Sequence, residues 1–361
     1  MMAILLLMSA GGLLAGLALL RKVPVALPCQ TLERDPLRVS VIIPARNEES
    51  NLPQLLGSLR SSASPSLQVI VVDDSSSDAT ATVARTYGAT VIDAGTLPKG
   101  WMGKTWACHR GMLAATGEAL FFLDADTQFV PEGYARIIEY FAKLPQNTAL
   151  SLLPFHRTQC WYEELSLFFN LLMAMGAGGF GKLDTPHLFG QAVLIRRDLY
   201  ERAGGHQSVR GEILENLRFS GHVLAADGNI CALGGRGTLQ MRMFPHGIGQ
   251  LRESWQKGFA AAAGLTSPLV LALSVYWLST AMSTAILLFV FRGSMWLAVA
   301  VLYLLNVLQI AWYARQLGSF RWTMAWLYPI ALSFYFVVFG QSLWRQRLGK
   351  SVTWKGRRLW N

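Results

Sequence analysis

Met1 to Leu20 carries no charged residue, and neither do Pro268 to Phe291 or Ser294 to Ala314. About 20 such residues are what a helix needs to cross the hydrocarbon of a bilayer. Trp322 to Trp344 forms a fourth uncharged run, interrupted by Pro329, Ser333, Gly340 and Gln341. With hydrophobic residues at 52%, charged residues at 15% and a mean hydropathy of +0.32, the chain is too apolar for a purely soluble protein. The net charge of +10 does not point to nucleic acid. Its cations lie beside apolar runs, at Arg21-Lys22, Arg315 to Arg321 and Arg345 to Arg358, where they suit a membrane surface. Cys29, Cys108, Cys160 and Cys231 are scattered with no CxxC pair, which fits reduced thiols facing the cytosol.

A signal peptide carries positive charge before its apolar core, whereas here Arg21 and Lys22 follow it. The positive-inside rule then predicts a retained anchor over 1–20, its N-terminus outside and the next domain in the cytoplasm of a multi-pass cell-membrane protein. Leu27-Pro28-Cys29 is a poor lipobox because of Pro28. If all four apolar runs spanned, the basic tail 345–361 would lie outside, against the same rule. One segment of the C-terminal membrane region 268–344 is therefore expected to be re-entrant or interfacial, and the interrupted run Trp322 to Trp344 is the choice.

Between the apolar ends, 39–264 reads as an α/β domain. Apolar, β-branched runs at Val39 to Ile43, Gln68 to Val72, Thr90 to Ile92 and Ala119 to Leu123 alternate with helical stretches at Glu48 to Arg60, Asp78 to Tyr87 and Lys104 to Thr116. Such alternation predicts a mainly parallel sheet, whose ligands bind beyond the carboxyl ends of its strands. The polar motifs sit at those ends.

Pro44-Ala45-Arg46-Asn47-Glu48 follows the first strand, where Glu48 and backbone groups can face a ligand or Asn47 can cap a helix. Asp73 and Asp74 follow the second; their carboxylates can accept from a nucleobase or ribose, while Ser77 or Asp78 can serve as a cap. Asp124-Ala125-Asp126 leaves a buried strand, so both carboxylates reach one point and suit Mg2+ or Mn2+ bound together with substrate phosphates. Lys99 and Lys104 are candidate diphosphate partners. No Walker motif occurs, and no GxGxxG follows the first strand.

In this order and spacing the three motifs resemble the family 2 glycosyltransferases of GT-A fold. The resemblance implies a UDP-sugar donor, its base near Pro44 to Glu48 and Asp74, its ribose and metal-diphosphate at the Asp-x-Asp turn. Ser75 departs from the family, where many members have Gly. Lys99 to Lys104, Pro154-Phe155-His156, Gly204-Gly205-His206, Trp255-Gln256-Lys257-Gly258 and Trp354-Lys355-Gly356-Arg357 resemble the bacterial 4,4'-diaponeurosporenoate glycosyltransferase group. That group implies glucosylation of a carotenoid carboxylate by a membrane-anchored cytosolic domain.

Glu212 and Glu215 lie where inverting members place an acidic base, although Asn216 follows Glu215 where many members have an acid. Such a base takes the acceptor hydroxyl's proton. A carboxylate acceptor is already ionised, and Glu215 is then left to orient the substrates or to stand as a surface acid. Gln250 to Trp255 lacks the Gln-x-x-Arg-Trp spacing of processive synthases, which favours single transfer. His156, His206 and His246 show no metal-ligand spacing, and the aromatic run around Trp161-Tyr162 and Phe168-Phe169 reads as core or membrane-facing surface. The expected activity is inverting, metal-dependent transfer of a hexose, with glucose preferred, to a membrane lipid. Hopanoid, polyprenyl-phosphate and glycerolipid acceptors stay open, as does an inactive membrane scaffold and the oligomeric state.

Overall fold

The computed structural model describes residues 2–27, 37–61, 67–181, 183, 186–212, 214–347, 352–354 and 357–359; Cys29, Lys355 and Gly356 fall outside them, as do the side chains of Lys257 and Arg357. The chain divides into two compact units. One joins 24–155 to 186–242, the other 1–23, 156–185 and 243–361.

The first unit is built on β1 (Val39–Ala45), β2 (Leu67–Asp73), β3 (Thr90–Asp93), β4 (Ala119–Leu123), β5 (Thr127–Phe129), β6 (Thr148–Leu153), β7 (Ala192–Arg196), β8 (Asn229–Gly234) and β9 (Leu239–Met241). Seven of these form one sheet in the order β3-β2-β1-β4-β7-β6-β8. β1 pairs in parallel with β2 and β4, and β2 with β3; β7 runs antiparallel between β4 and β6. This is the mainly parallel GT-A-like α/β sheet that the strand-helix alternation predicts. β5 and β9 pair separately and antiparallel.

Helices cover both faces: α2 (Leu52–Ser61), α3 (Thr80–Thr86), α4 (Gly103–Ala114) and α5 (Gly133–Ala142). Val41, Ile43, Phe121 and Leu123 pack with Leu55, Leu59, Ile137 and Phe141 on one side, and Ile42, Ile70, Leu120 and Val193 with Ala107 and Cys108 on the other. Both sets alternate along the strands because successive side chains face opposite ways. Gly111 lets α4 lie close against the sheet, since a Cβ there would stand 2.4 Å from Ile42 Cγ2 and 3.0 Å from Val72 Cγ2. The α2 and α3 segments start later than their sequence patterns, because 48–51 and 78–79 are occupied by turns.

Those two turns are tied to each other. Asn47 N donates to Ser76 Oγ, Ser77 N to Asn47 Oδ1, Glu48 N to Thr80 Oγ1 and Ala79 N to Glu49 Oε2. Glu49 N also donates to Asp78 Oδ2, so Asn47 and Asp78 stitch the strand ends, and Asp78 Oδ1 receives Thr80 N. Asn47 and Ser75 both take left-handed conformations, at φ 54° and 58°. A φ of this sign suits glycine, so Ser75 carries a modest backbone strain there.

The second unit is helical. It contains α1 (Met2–Leu19), α6 (Leu167–Gly176), α9 (Ile248–Leu265), α10 (Pro268–Val290), α11 (Ser294–Leu317), α12 (Trp322–Trp326) and α13 (Tyr328–Arg347); α7 (Arg197–Arg202) and α8 (Glu215–Ala225) belong to the first unit. Among the described residues, two helices, Pro268–Val290 and Met295–Leu317, have the length and apolar composition to cross a membrane, and Ile4–Leu19 is a shorter apolar helix. The run Trp322 to Trp344 is broken at Leu327 into α12 and α13, with Pro329 in the first turn of α13, where its missing N–H costs nothing.

α1 packs on α10 and α11 through glycines. A Cβ on Gly12 would stand 1.8 Å from Thr280 Oγ1, and one on Gly16 2.8 Å from Trp277 Nε1. Tyr276 OH donates to Met8 O and Gln309 Nε2 to Leu13 O. Trp255 is buried and stacks on Phe169 at 4.8 Å, so it is a core residue of this unit. Phe168 and Phe169 are buried as well, whereas Trp161 is exposed.

Candidate functional site

β1, β2 and β4 end side by side, so the residues that follow them share one rim of the first unit. Pro44 and Ala45 close β1, and Ala45 is paired with Asp73, the last residue of β2. Asp74 N donates to Ala45 O at 2.8 Å, which turns the Asp74 side chain into the buried interior. Arg46 reaches across, with Nη1 2.9 Å from Asp74 O and 3.9 Å from Asp74 Oδ2. Asp73 Oδ1 receives Ser76 N, and Glu48 Oε2 receives Asn51 Nδ2. The first two motifs therefore present a guanidinium and three carboxylates held by their own turns.

A second group forms around Lys104, in the first turn of α4. Its Nζ lies 2.7 Å from Asp124 Oδ1, 3.2 Å from Glu215 Oε1 and 2.9 Å from Gly190 O. Asp124 follows β4 and is fixed by its N–H to Gln191 O and by Thr127 Oγ1 donating to its carbonyl. Glu215 is the first residue of α8, where the helix N-terminus favours an anion, and it also receives Asn216 Nδ2 at 2.9 Å. Burial alone would depress the Lys104 ammonium; Asp124 and Glu215 outweigh it and hold the ammonium well above its ordinary range. Lys104, Asp124 and Glu215 form one charged cluster.

Asp126 stands beside that cluster without joining it. Its Oδ1 is buried and has no hydrogen-bond partner. Burial, then the charges of Asp124 and Glu48, push its carboxyl up to about 7, and Lys104 only partly offsets them. The Asp124–Asp126 turn is thus short of positive charge despite the nearby ammonium. No group of three His, Cys, Asp or Glu poised for a metal occurs among the described residues. A divalent ion held here would rely on one or two carboxylates plus oxygens from a ligand, as Mg2+ commonly does.

Of the residues expected from the sequence, the structure brings Arg46 to Asp74, and Lys104 to Asp124 and Glu215. Glu48 acts on Asp126 through its charge. Lys99 is exposed, and Glu212 pairs at the surface with Arg218 at 3.7 Å. Gly190 and Gln191 had no sequence signal. They contribute backbone carbonyls, which no side chain announces. His206 is buried against Tyr200 and Phe219, its Nδ1 2.9 Å from Tyr200 OH. Burial, with Lys104 and His109, lowers its pKa to about 3 and leaves it a neutral core residue.

Residues 40–204 match the model of the family described as glycosyl transferase family 2. The chain is 32% identical over 342 residues to the 4,4'-diaponeurosporenoate glycosyltransferase of Staphylococcus aureus strain USA300, covering 92% of this chain and 90% of that protein. The enzyme of the same name from strain N315 matches to the same extent. Among solved structures, the mannosyltransferase PcManGT from Pyrobaculum calidifontis, in complex with GDP-Man and Mn2+, aligns over 96% of this chain and 99% of its own with a TM-score of 0.59 and 17% identity. That likeness shows a shared fold over nearly the whole chain. Identity above 30% across nine-tenths of a relative carries more, and on it the chain is a glycosyltransferase belonging to family 2.

Proposed function

We propose that the chain transfers a hexose, glucose in preference, from a UDP-sugar to a membrane lipid bearing a carboxylate, a carotenoid acid, to give a glycosyl ester. The observation that carries this is the Asp124–Asp126 turn, with a buried unpartnered oxygen on Asp126 and a carboxyl that burial and neighbouring anions disfavour as an ion. Such a turn fits Mg2+ or Mn2+, with Asp126 and Asp124 as its protein ligands. When bound, the ion supplies Lewis-acid stabilisation of the diphosphate leaving group. The Mn2+ and GDP-Man of the Pyrobaculum enzyme agree with a metal-bound nucleotide-sugar.

The other residues bind and orient. Pro44, Ala45, Arg46, Glu48, Asp73 and Asp74 take the base and ribose, with Asp74 fixed by Arg46 as an acceptor. Lys104 exchanges part of its pairing with Asp124 for the diphosphate. The acceptor's carboxylate oxygen attacks the anomeric carbon, the bond from that carbon to the diphosphate oxygen breaks, and UDP leaves with the electron pair. Configuration inverts in this single displacement. An ionised acceptor has no proton to lose, so Glu215, held by Lys104 and Asn216, orients substrates. The staphylococcal relatives' name supports a carotenoid acid as acceptor.

The membrane reading completes the proposal: an anchor at 1–20, a cytoplasmic transferase domain at 39–264, membrane segments in 268–344 and a basic tail at 345–361, in a multi-pass cell-membrane enzyme. Leu271, Val275, Phe289, Leu297, Val301 and Leu308 are exposed on α10 and α11, an apolar surface that a bilayer would cover. To test the chemistry, membranes holding the protein are incubated with labelled UDP-glucose, Mn2+ and a carotenoid carboxylic acid. We expect a labelled lipid that mild alkali cleaves, as an ester requires. An alkali-stable product would exclude the ester, and transfer from GDP-mannose alone would exclude the UDP donor.

A further inference from the structure

We infer that α12 and α13 form a re-entrant hairpin, entering and leaving the bilayer on the face that carries Arg21 and Lys22. The inference rests on the membrane reading above, and its evidence lies wholly within the helical unit.

Three helices define the levels. Thr284 Oγ1 meets Ser9 Oγ, while Gly12 abuts Thr280 and Gly16 abuts Trp277, so α1 and α10 are antiparallel. Gln309 reaches Leu13, and Val23 N donates to Gln316 Oε1, so α1 and α11 are parallel. Leu20 to Val23, Pro268 and Leu317 therefore lie at one end of the bundle, and Arg292 at the other.

The chain leaves that first end at Gly318 to Arg321, pinned by Ser319 N to His156 O and by Arg321 N to Glu164 Oε2 at 3.1 Å. At the break between α12 and α13, Tyr303 OH donates to Trp326 O, Tyr328 OH donates to Ala281 O at 2.9 Å, and the Tyr303 and Tyr328 rings lie 5.1 Å apart. Ala281 is about 20 Å along the helix from Pro268, and Tyr303 about 20 Å from Leu317, at ~1.5 Å per residue. The break thus sits deep in the bundle. There Tyr303 satisfies a carbonyl that the helix end leaves open, as non-helical backbone in a membrane requires.

Reach decides which way α13 then runs. Ser342 Oγ donates to Gln256 O at 2.9 Å, and Gln341 bonds to Gln256. Gln256 is on α9, which ends just before Pro268, so it stands within about 20 Å of Pro268 along the chain. Had α13 continued across, Gln341 would lie roughly 40 Å from Pro268, out of reach of Gln256. α13 therefore returns. Arg345 joins Arg21, Lys22, Arg315 and Arg321 at one end, against Arg292 at the other, which is the asymmetry the positive-inside rule demands.

The test labels Lys22→Cys, Ser294→Cys and Arg345→Cys variants, each made after replacing Cys29, Cys108, Cys160 and Cys231 with Ser, with a membrane-impermeant maleimide in intact spheroplasts and in inverted vesicles. We expect Ser294→Cys to react from outside, and Lys22→Cys and Arg345→Cys only in inverted vesicles. Reaction of Arg345→Cys from outside would overturn the hairpin. Protease removal of an epitope tag placed after Asn361 gives the same readout without altering the bundle, and removal of the tag in intact spheroplasts would also overturn it. Loss of the unmodified protein from carbonate-washed membranes would instead overturn the membrane reading itself.

Discussion

Asp126 bears a cost in the unliganded protein that a bound cation would remove. Its carboxyl is raised to about 7 from an unfolded value of about 3.9, so the folded state holds an extra proton between those values and stability falls as pH rises through them. Asp126→Asn mimics the protonated form. We predict that it raises the metal-free melting temperature at pH 8 and leaves it unchanged below pH 4, as thermal denaturation at the two pH values would check. Ser75→Gly relieves a left-handed φ of 58° and should stabilise by about 0.5–1 kcal/mol in a urea titration. The Asp-Ala-Asp turn was legible because an apolar strand precedes it, which fixes where its side chains emerge. The Lys104 cluster was only half legible. Asp124 and Glu215 could be named, but their common cation depends on α4 and α8 meeting in space, and Gly190 and Gln191 act through backbone.

Among the elements, α4 carries Lys104 and is seated by Gly111. Gly111→Val places methyl groups where Ile42 and Val72 already are. Overpacking of this kind costs about 1–3 kcal/mol. The accompanying tilt of α4 should weaken nucleotide affinity as well, measurable by calorimetry alongside the stability loss; a variant with lower stability and unchanged affinity would separate α4 from the site. Short apolar, β-branched runs disclosed β1, β2 and β4 with little error. The antiparallel β7 was not legible, because its place between β4 and β6 is set by distant pairing, which a local pattern does not encode.

For the whole molecule, the apolar runs are helical in the structure and Pro329 lies beside the break at Leu327, whereas 156–185 and 243–264, read from the sequence as part of the α/β domain, fall in the helical unit. What the sequence could not express was the packing of α1. Gly12→Ile should lower the thermal stability of the protein in detergent, since its Cβ would overlap Thr280 Oγ1. Whether Asp124 and Asp126 hold a metal-bound nucleotide-sugar is tested by titrating UDP into the purified protein with and without Mn2+, beside Asp126→Asn. We expect Mn2+ to tighten UDP binding at least tenfold in the native protein and to have no effect in Asp126→Asn. Equal enhancement by Mn2+ in both proteins would contradict that assignment.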